Sequence, residues 1–554
     1  MKSYIKTLLI AGTAAASLAS CTDLDVDIKN KYTTFPDNDI AVSGEFEGCY
    51  YYNRNEAWFG RNFWEVAFLC GDEAVGINLN GVYDDNGRFR DGSIHNFRPD
   101  LQGVGLMGDM LSGITYTNTR IMNYGGAEGK DPIVAPLRTI RAYYHFWMME
   151  FFGDVPILNR PVEEGEVIER QPRAEVAKFI AQELEECIPD LTEENNANTY
   201  GRPNKWMAEA LLAKLYLNWG VYTHDITTVT GNTPNEKLDD CVKWCDEIIK
   251  SGVFEVGKGY RKKFFPDNGV QIKDFIYAID FDPEKIGNGG WKYAGGHEMN
   301  RWWDFRKFGY IDPCVWGWKP ENSIAGIFIL TPECVDRFCL EGDERNEMVA
   351  VGKFGGYDEN FNLKKEPIQV YQDSRHRKLL GDLEFKKDFE WANISLLDVG
   401  SEDDTYNCMK GARLFKYPIR QSDDQKWGRF QFNDIPIFRY ADVLLMKAEC
   451  LLRGATATMG HTAASLMNEV RDCSGAPHVT GTPTLDELLD ERSREFIQEP
   501  WRRNDLIRFG KFENCAEWKV RANPTAMGDV NKRLFPIPTG EMNTNTNWKQ
   551  NPGY

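Results

Sequence analysis

The sequence predicts a mostly α-helical chain, a helical-repeat array broken by one large irregular insertion. Three observations predict it. Apolar residues recur at helical spacing from about Leu101 to Ser251 and again from Ile437 to Gly510. Alanines at one-turn spacing, as at Ala208-Glu209-Ala210 and from Ala441 to Ala448, let antiparallel helices approach closely. Tetratricopeptide-like repeats stack in this way, although no strict repeat signature is present. Between about Phe254 and Phe432 the chain becomes Gly-, Trp- and Asp-rich and sustained periodicity stops. So long an irregular stretch inside a compact protein is usually functional. The organisation is therefore residues 1–20 as a leader, 21–253 as an N-terminal helical region, 254–432 as the insertion, and 433–554 as C-terminal helical repeats with a tail.

Individual helices can be read from their ends. From Arg138 to Phe152, apolar Ile140, Tyr144, Trp147, Met148 and Phe151 recur at offsets of three and four, which predicts one buried face. Gly153-Asp154-Val155-Pro156 then ends the helix, because glycine supplies the turn and proline forbids continuation. A second helix starts at Asn204, a good N-cap, and runs through Trp206, Ala210, Ala213 and Leu217. A third spans about Asn235 to Lys250 and stops at Ser251-Gly252. Its Cys241 and Cys245 lie one turn apart and could take a metal, but no His or further Cys completes the site, so core packing is the reading.

The first residues carry Lys2 and Lys6, an apolar stretch from Leu8 to Ala16, and Leu18-Ala19-Ser20-Cys21. A basic start, a short apolar core and small residues before a cleavage point describe an export signal. The apolar stretch is shorter than the roughly 20 residues that cross a bilayer. Cys21 after Leu-Ala-Ser resembles the bacterial lipobox, in which that thiol is acylated and becomes the new N-terminus. The rest of the chain is then soluble and tethered by lipid. Thr22-Asp23-Leu24-Asp25-Val26-Asp27 follows, and acidic residues just after the lipid Cys resemble the Bacteroidota signal for export to the cell surface. A net charge of −19 argues against nucleic acid as a partner, since phosphates require clustered Lys and Arg. Twelve further cysteines lack the paired spacing of a disulfide framework and read as small core residues.

Four segments together resemble the SusD/RagB family of Bacteroidota outer-membrane lipoproteins. They are Arg141-Ala142-Tyr143-Tyr144 with Phe151 to Pro156; Ile435 to Asp442 leading to Leu445 and Ala448-Glu449; Glu491-Arg492, Arg494-Glu495, Trp501-Arg502 and Asp505-Leu506; and Phe535-Pro536-Ile537-Pro538 with the terminal Gln550 to Tyr554. One departure is Pro500, where the family usually has Gly after Glu. The resemblance implies a right-handed array of tetratricopeptide-like helix pairs, a location at the outer membrane, and a lid-like position on a TonB-dependent (SusC-like) transporter. It implies capture of glycans for that transporter without catalysis; a smaller branch of the family handles peptides.

A neutral glycan presents hydroxyls at its rim and C–H patches on its ring faces, so exposed aromatics beside Asn, Asp and Arg suit it. Two stretches fit. Trp291 to Asn322 contains Trp291, Trp302, Trp303, Asp304, Arg306, Tyr310, Trp316 and Trp318, more tryptophan than one small core normally absorbs, although about half of these rings are expected to be packing. Asp72 to Asn96 offers Tyr83 and Arg88 on a loop, with Asn86-Gly87 read first as the turn of a β-hairpin. Asp84-Asp85-Asn86-Gly87 and Asp267-Asn268-Gly269 suggest calcium oxygens, but neither continues into an EF-hand spacing, and turn chemistry is preferred. No other cofactor is expected. The charged cluster Glu491 to Arg508 is read as structural ion pairs at three- and four-residue spacing. Abundant carboxylates beside aromatics keep a glycosidase as a further alternative.

Overall fold

The computed structural model describes residues 39–50, 62–81, 85–281, 299–303, 311–312, 315–318, 326–372, 375–401, 404–427 and 431–554. Cys21, Tyr83, Trp291 and Tyr310 lie outside these residues. Two units are distinguished, 1–47 and 48–554; of the first, only the start of the helix Asp39–Tyr50 is described. Everything below concerns the second. No helix among the described residues is long and apolar enough to cross a membrane.

The protein is mostly α-helical, with a tetratricopeptide-like arrangement in which most helices pack on the next. The principal helices are α1 (Leu106–Tyr124), α2 (Ala135–Phe152), α3 (Arg173–Cys187), α4 (Lys205–Leu217), α5 (Leu238–Ser251), α6 (Tyr440–Leu452), α7 (Ala463–Ser474), α8 (Leu485–Phe496) and α9 (Arg502–Arg508). α1 packs on α2, α2 on α3, α3 on α4, and α4 on α5. α5 then packs directly on α6, although 188 residues separate them in sequence (251 to 440, counting the residues between). Ala208, Ala210 and Ala213 on α4 and Ala441 and Ala448 on α6 are all fully buried at these contacts, as small-residue spacing requires.

Local signals set the helix ends. The Asn204 side chain accepts a 2.9 Å bond from Met207 N and caps α4. Gly153 at φ 76° and Gly252 at φ 64° close α2 and α5 in a backbone region that costs residues with a Cβ. Two readings need correction. α5 begins at Leu238, because Asn235 is used otherwise: its Nδ2 donates to the Tyr216 and Leu217 carbonyls, both at 2.9 Å, and so closes the C-terminus of α4. α2 is buried all round, not on one face. Arg138 reaches Glu183 on α3 at 2.7 Å and Arg141 reaches Asn118 on α1 at 2.8 Å, so its polar side faces neighbouring helices.

The helical pattern expected from Ile437 opens instead with a strand. β4 (Ile435–Arg439) pairs antiparallel with β2 (Phe275–Ile279), with an irregularity between Pro436 and Phe438, where proline offers no N–H to the ladder. β1 (Ala74–Gly76) pairs with β3 (Phe328–Leu330). The insertion is thus stitched to the N-terminal helical region by one pair and to the C-terminal region by the other. Asn86 (φ 60°) and Gly87 (φ 77°) do make a tight turn, but it feeds the short helix Arg88–Ser93 and not a hairpin strand.

The Glu491–Arg508 cluster is structural, and most of its partners lie on other elements. Arg439 at the end of β4 bonds Asp274 and Glu495 at 2.7 Å and Glu499 at 2.9 Å. Arg492 bonds Asp442 at 2.9 Å and Asp505 at 2.7 Å, while Arg508 bonds Glu449 and Asp505 at 2.7 Å. Arg345 of the insertion reaches Glu491 at 2.8 Å and Glu495 at 3.0 Å. Burial pushes the Glu449 and Glu491 carboxyls up, but the guanidiniums of Arg508 and Arg453 hold the first at about 2, and those of Arg345, Arg494 and Arg471 hold the second at about 2. Buried charges this well partnered fix register between elements, because breaking one pair strands its partner. The described cysteines are free of disulfides and mostly buried. Cys241 and Cys245 meet Cys450 of α6 in the core, yet no group of three or more His, Cys, Asp or Glu among the described residues is placed to hold a metal.

Candidate functional site

The antiparallel pairing of β2 and β4 brings two chain ends to one rim. Ile279 lies opposite Ile435, so the residues after one strand, Asp280-Phe281, sit beside those before the other, Phe432-Asn433-Asp434. An open cleft of about 410 Å³ lies there. The turn Pro266–Gln271 forms another side, Tyr200 enters from the loop preceding α4, and Arg420 and Asp423 come from the start of the short helix Gln421–Trp427.

A set of hydrogen bonds holds the rim in shape. Tyr200 Oη donates to Asp434 Oδ2 at 2.7 Å and Phe281 N donates to Asp434 Oδ1 at 3.0 Å. Asn268 brackets the Asp434 backbone: its Oδ1 accepts from Asp434 N at 2.7 Å, and its Nδ2 donates to Asp434 O at 3.0 Å. Asn433 turns inward to bond the Phe264 and Pro418 carbonyls at 2.9 and 3.0 Å, which leaves its neighbours Phe432 and Asp434 lining the cleft. Burial, and then the Asp434 charge, push the Tyr200 phenol well above its usual range, so it stays a donor. Burial also raises the Asp423 carboxyl, against the opposing pull of Arg420. Among the described residues the cleft therefore combines partly exposed rings from Tyr200 and Phe432, with the buried Phe281 behind them, acceptors from three carboxylates, and donors from Gln271 and Arg420.

Most of the described residues singled out in the sequence lie elsewhere. Trp302, Trp303 and Trp316 are at most 2 % exposed. Trp302 packs edge-on to Phe89 at 4.8 Å and stacks on Phe328 of β3 at 5.7 Å; Trp303 meets Phe68 and Phe328; Trp316 stacks on Tyr357 at 5.2 Å. Trp302 and Trp303 pack into the core that the insertion shares with the N-terminal region, and Trp316 into a cluster within the insertion; rings packed in this way offer no face to a sugar. Arg88 is also internal, bonded to Glu65, to Gln102 at 2.8 Å and to Asn62 at 2.9 Å. Trp318 is half-buried. Of the two candidate calcium turns, Asp267-Asn268-Gly269 forms one side of the cleft and uses Asn268 as a brace; Asp85-Asn86-Gly87 is the turn before Arg88. Sequence reading missed Tyr200, Gln271, Asp280, Phe281, Asp423, Phe432 and Asp434. The available signal was adjacency: Asp434 immediately precedes the segment beginning at Ile435.

Comparison with known proteins agrees with this architecture. A family model described as "SusD family" matches residues 368–554, and one described as "Starch-binding associating with outer membrane" matches residues 129–217. The starch-binding protein SusD of Bacteroides thetaiotaomicron is 27% identical over 76% of this chain and 72% of its own length. The SusD-like protein P2 of Formosa agariphila is 23% identical over the full length of both. Among solved structures, a laminarin-binding SusD-like protein superposes with a TM-score of 0.68 at 19% identity, over 93% of this chain and 100% of that one. Surface glycan-binding protein A from Bacteroides thetaiotaomicron, in complex with laminarihexaose, gives 0.67 at 18% identity over 93% and 99%. The matched segments carry α2 to α4 and everything from β4 to the C-terminus, so over these regions the chain is similar to the SusD family.

Proposed function

We propose that this chain is a glycan-binding lipoprotein of the outer membrane that captures oligo- or polysaccharide in the cleft beside β2 and β4 and passes it to a partner TonB-dependent transporter. The observation that carries the reading is the cleft itself. It sets aromatic rings beside fixed hydrogen-bonding groups, the two features a sugar requires. Relatives named for starch and laminarin binding support the same ligand class. Those relatives are binding proteins by name, and Asp434, braced by Tyr200, Phe281 N and Asn268, is a fixed hydrogen-bond acceptor at the rim. The acylated Cys21 and the acidic residues after it supply the tether and place the protein on the outer face of the membrane.

Native affinity electrophoresis against a panel of polysaccharides tests the reading. At least one polysaccharide retards the purified protein, and the retained glycan is recovered at its original length. Retardation by none contradicts glycan capture, and shortening of the glycan contradicts a non-catalytic role. Peptide found by mass spectrometry on the protein purified with its transporter would favour the peptide-handling branch instead.

A further inference from the structure

A second open cavity, of about 320 Å³, lies where the start of α4 meets the end of α5. The chain segments that line it, 193–209 and 247–253, are described throughout. Glu209 on α4 is 1 % exposed, and its Oε2 is sealed from solvent without a hydrogen-bond partner. The groups that could have served it are engaged elsewhere. Lys205, four residues back on the same helix face, bonds Glu193 at 2.5 Å and sits 5.4 Å from the centre of the Trp206 ring. Lys250 on α5 lies 3.4 Å from Glu247. Trp206 Nε1 donates to the Glu193 carbonyl at 2.9 Å, and Ser251 Oγ donates to the Ile248 carbonyl at 2.6 Å.

A buried carboxylate left without a donor is costly, and a ligand that brings one removes the cost. We infer that this cavity binds an organic cation with a primary ammonium or guanidinium end, whose N–H groups bond Glu209 and are shared with Glu247 at the mouth. Ammonium and guanidinium groups carry donors only, three and five of them, which suits a wall whose unspent groups are acceptors. Pairs between such groups and a carboxylate are among the stronger hydrogen bonds. A metal ion suits the cavity less, since no group of three or more His, Cys, Asp or Glu among the described residues is placed to hold one. Burial pushes the Glu209 carboxyl up to about 7; Lys205 pulls against this, while Glu247 and Glu193 add to it. A bound cation favours the ionised form, so acid works against binding. The inference uses no residue of the β2–β4 cleft and stands apart from the glycan reading.

Titration calorimetry on the purified protein at pH 8 tests this. The probes are agmatine and cadaverine as free cations, blocked tripeptides carrying one lysine or one arginine, and tetramethylammonium, which has the charge but no N–H. The best ammonium or guanidinium probe should bind at least about tenfold more tightly than tetramethylammonium. Binding of the free cations identifies a small amine as the ligand class, and binding of the peptides alone identifies a side chain of a partner protein. From pH 8 to pH 6 the affinity of the best probe should fall about tenfold as Glu209 takes up its proton. Glu209→Gln keeps the shape and removes the charge, so it should weaken binding at least about tenfold and abolish that pH dependence. Binding of no probe, binding of tetramethylammonium as tightly as the others, or parent-like binding by the folded Glu209→Gln variant overturns the inference.

Discussion

Trp303 has no exposed surface, and its ring is held between Phe68 and Phe328. Its indole N–H has no acceptor among the described residues, a cost that packing area offsets. Sequence reasoning treats several tryptophans in one short stretch as too many for a core because each needs such an acceptor. The insertion accepts that penalty at Trp303 and buries Trp302 and Trp316 as well. Trp303→Ala should therefore cost about 3–5 kcal/mol in chemical denaturation. Glycan affinity of the remaining folded protein should be unchanged. Lost affinity with an unchanged unfolding midpoint would instead place this ring in the binding surface. Residue identity alone could not separate the two roles: composition shows that rings are present, and only packing shows which faces are covered.

At the scale of elements, what was legible was local. Asn204, Gly153 and Gly252 mark helix ends through contacts with residues a turn away, and each does what its type and position suggest. Asn235 shows the limit of that logic. It has the composition of a helix start, but its amide bonds carbonyls at the end of the preceding helix, 18 and 19 residues back. Asn235→Ala leaves those carbonyls without this donor and should lower stability by about 1–2 kcal/mol in urea unfolding. A loss of only a few tenths would show that solvent replaces the amide. β4 was misread for a similar reason: five residues carry too little periodicity to declare a strand, and its partner β2 lies far back in the chain. The burial of the polar side of α2 was equally hidden, since Arg138 and Arg141 look solvent-facing until Glu183 and Asn118 are brought to them.

For the whole molecule, the insertion leaves after α5 and returns at α6, two helices that pack against each other, so the helical array is continuous beneath it. β2 and β4 mark its attachment, and the ion pairs of Arg439 and Arg345 tie that attachment to α8. The fold class could be read early because helix stacking repeats a local pattern. The cleft could not, because its sides come from residues near 200, 270, 280, 420 and 434, which become neighbours only through the β2–β4 pairing. Its location at that junction is the central claim. Titration calorimetry of the Phe432→Ala/Gln271→Ala double variant, with the neutral oligosaccharide that the parent protein binds best, tests it most directly. Loss of one ring face and one amide predicts binding at least about 30-fold weaker. The melting temperature should not change. Parent-like affinity in that variant would contradict the claim and move the glycan site elsewhere on the protein.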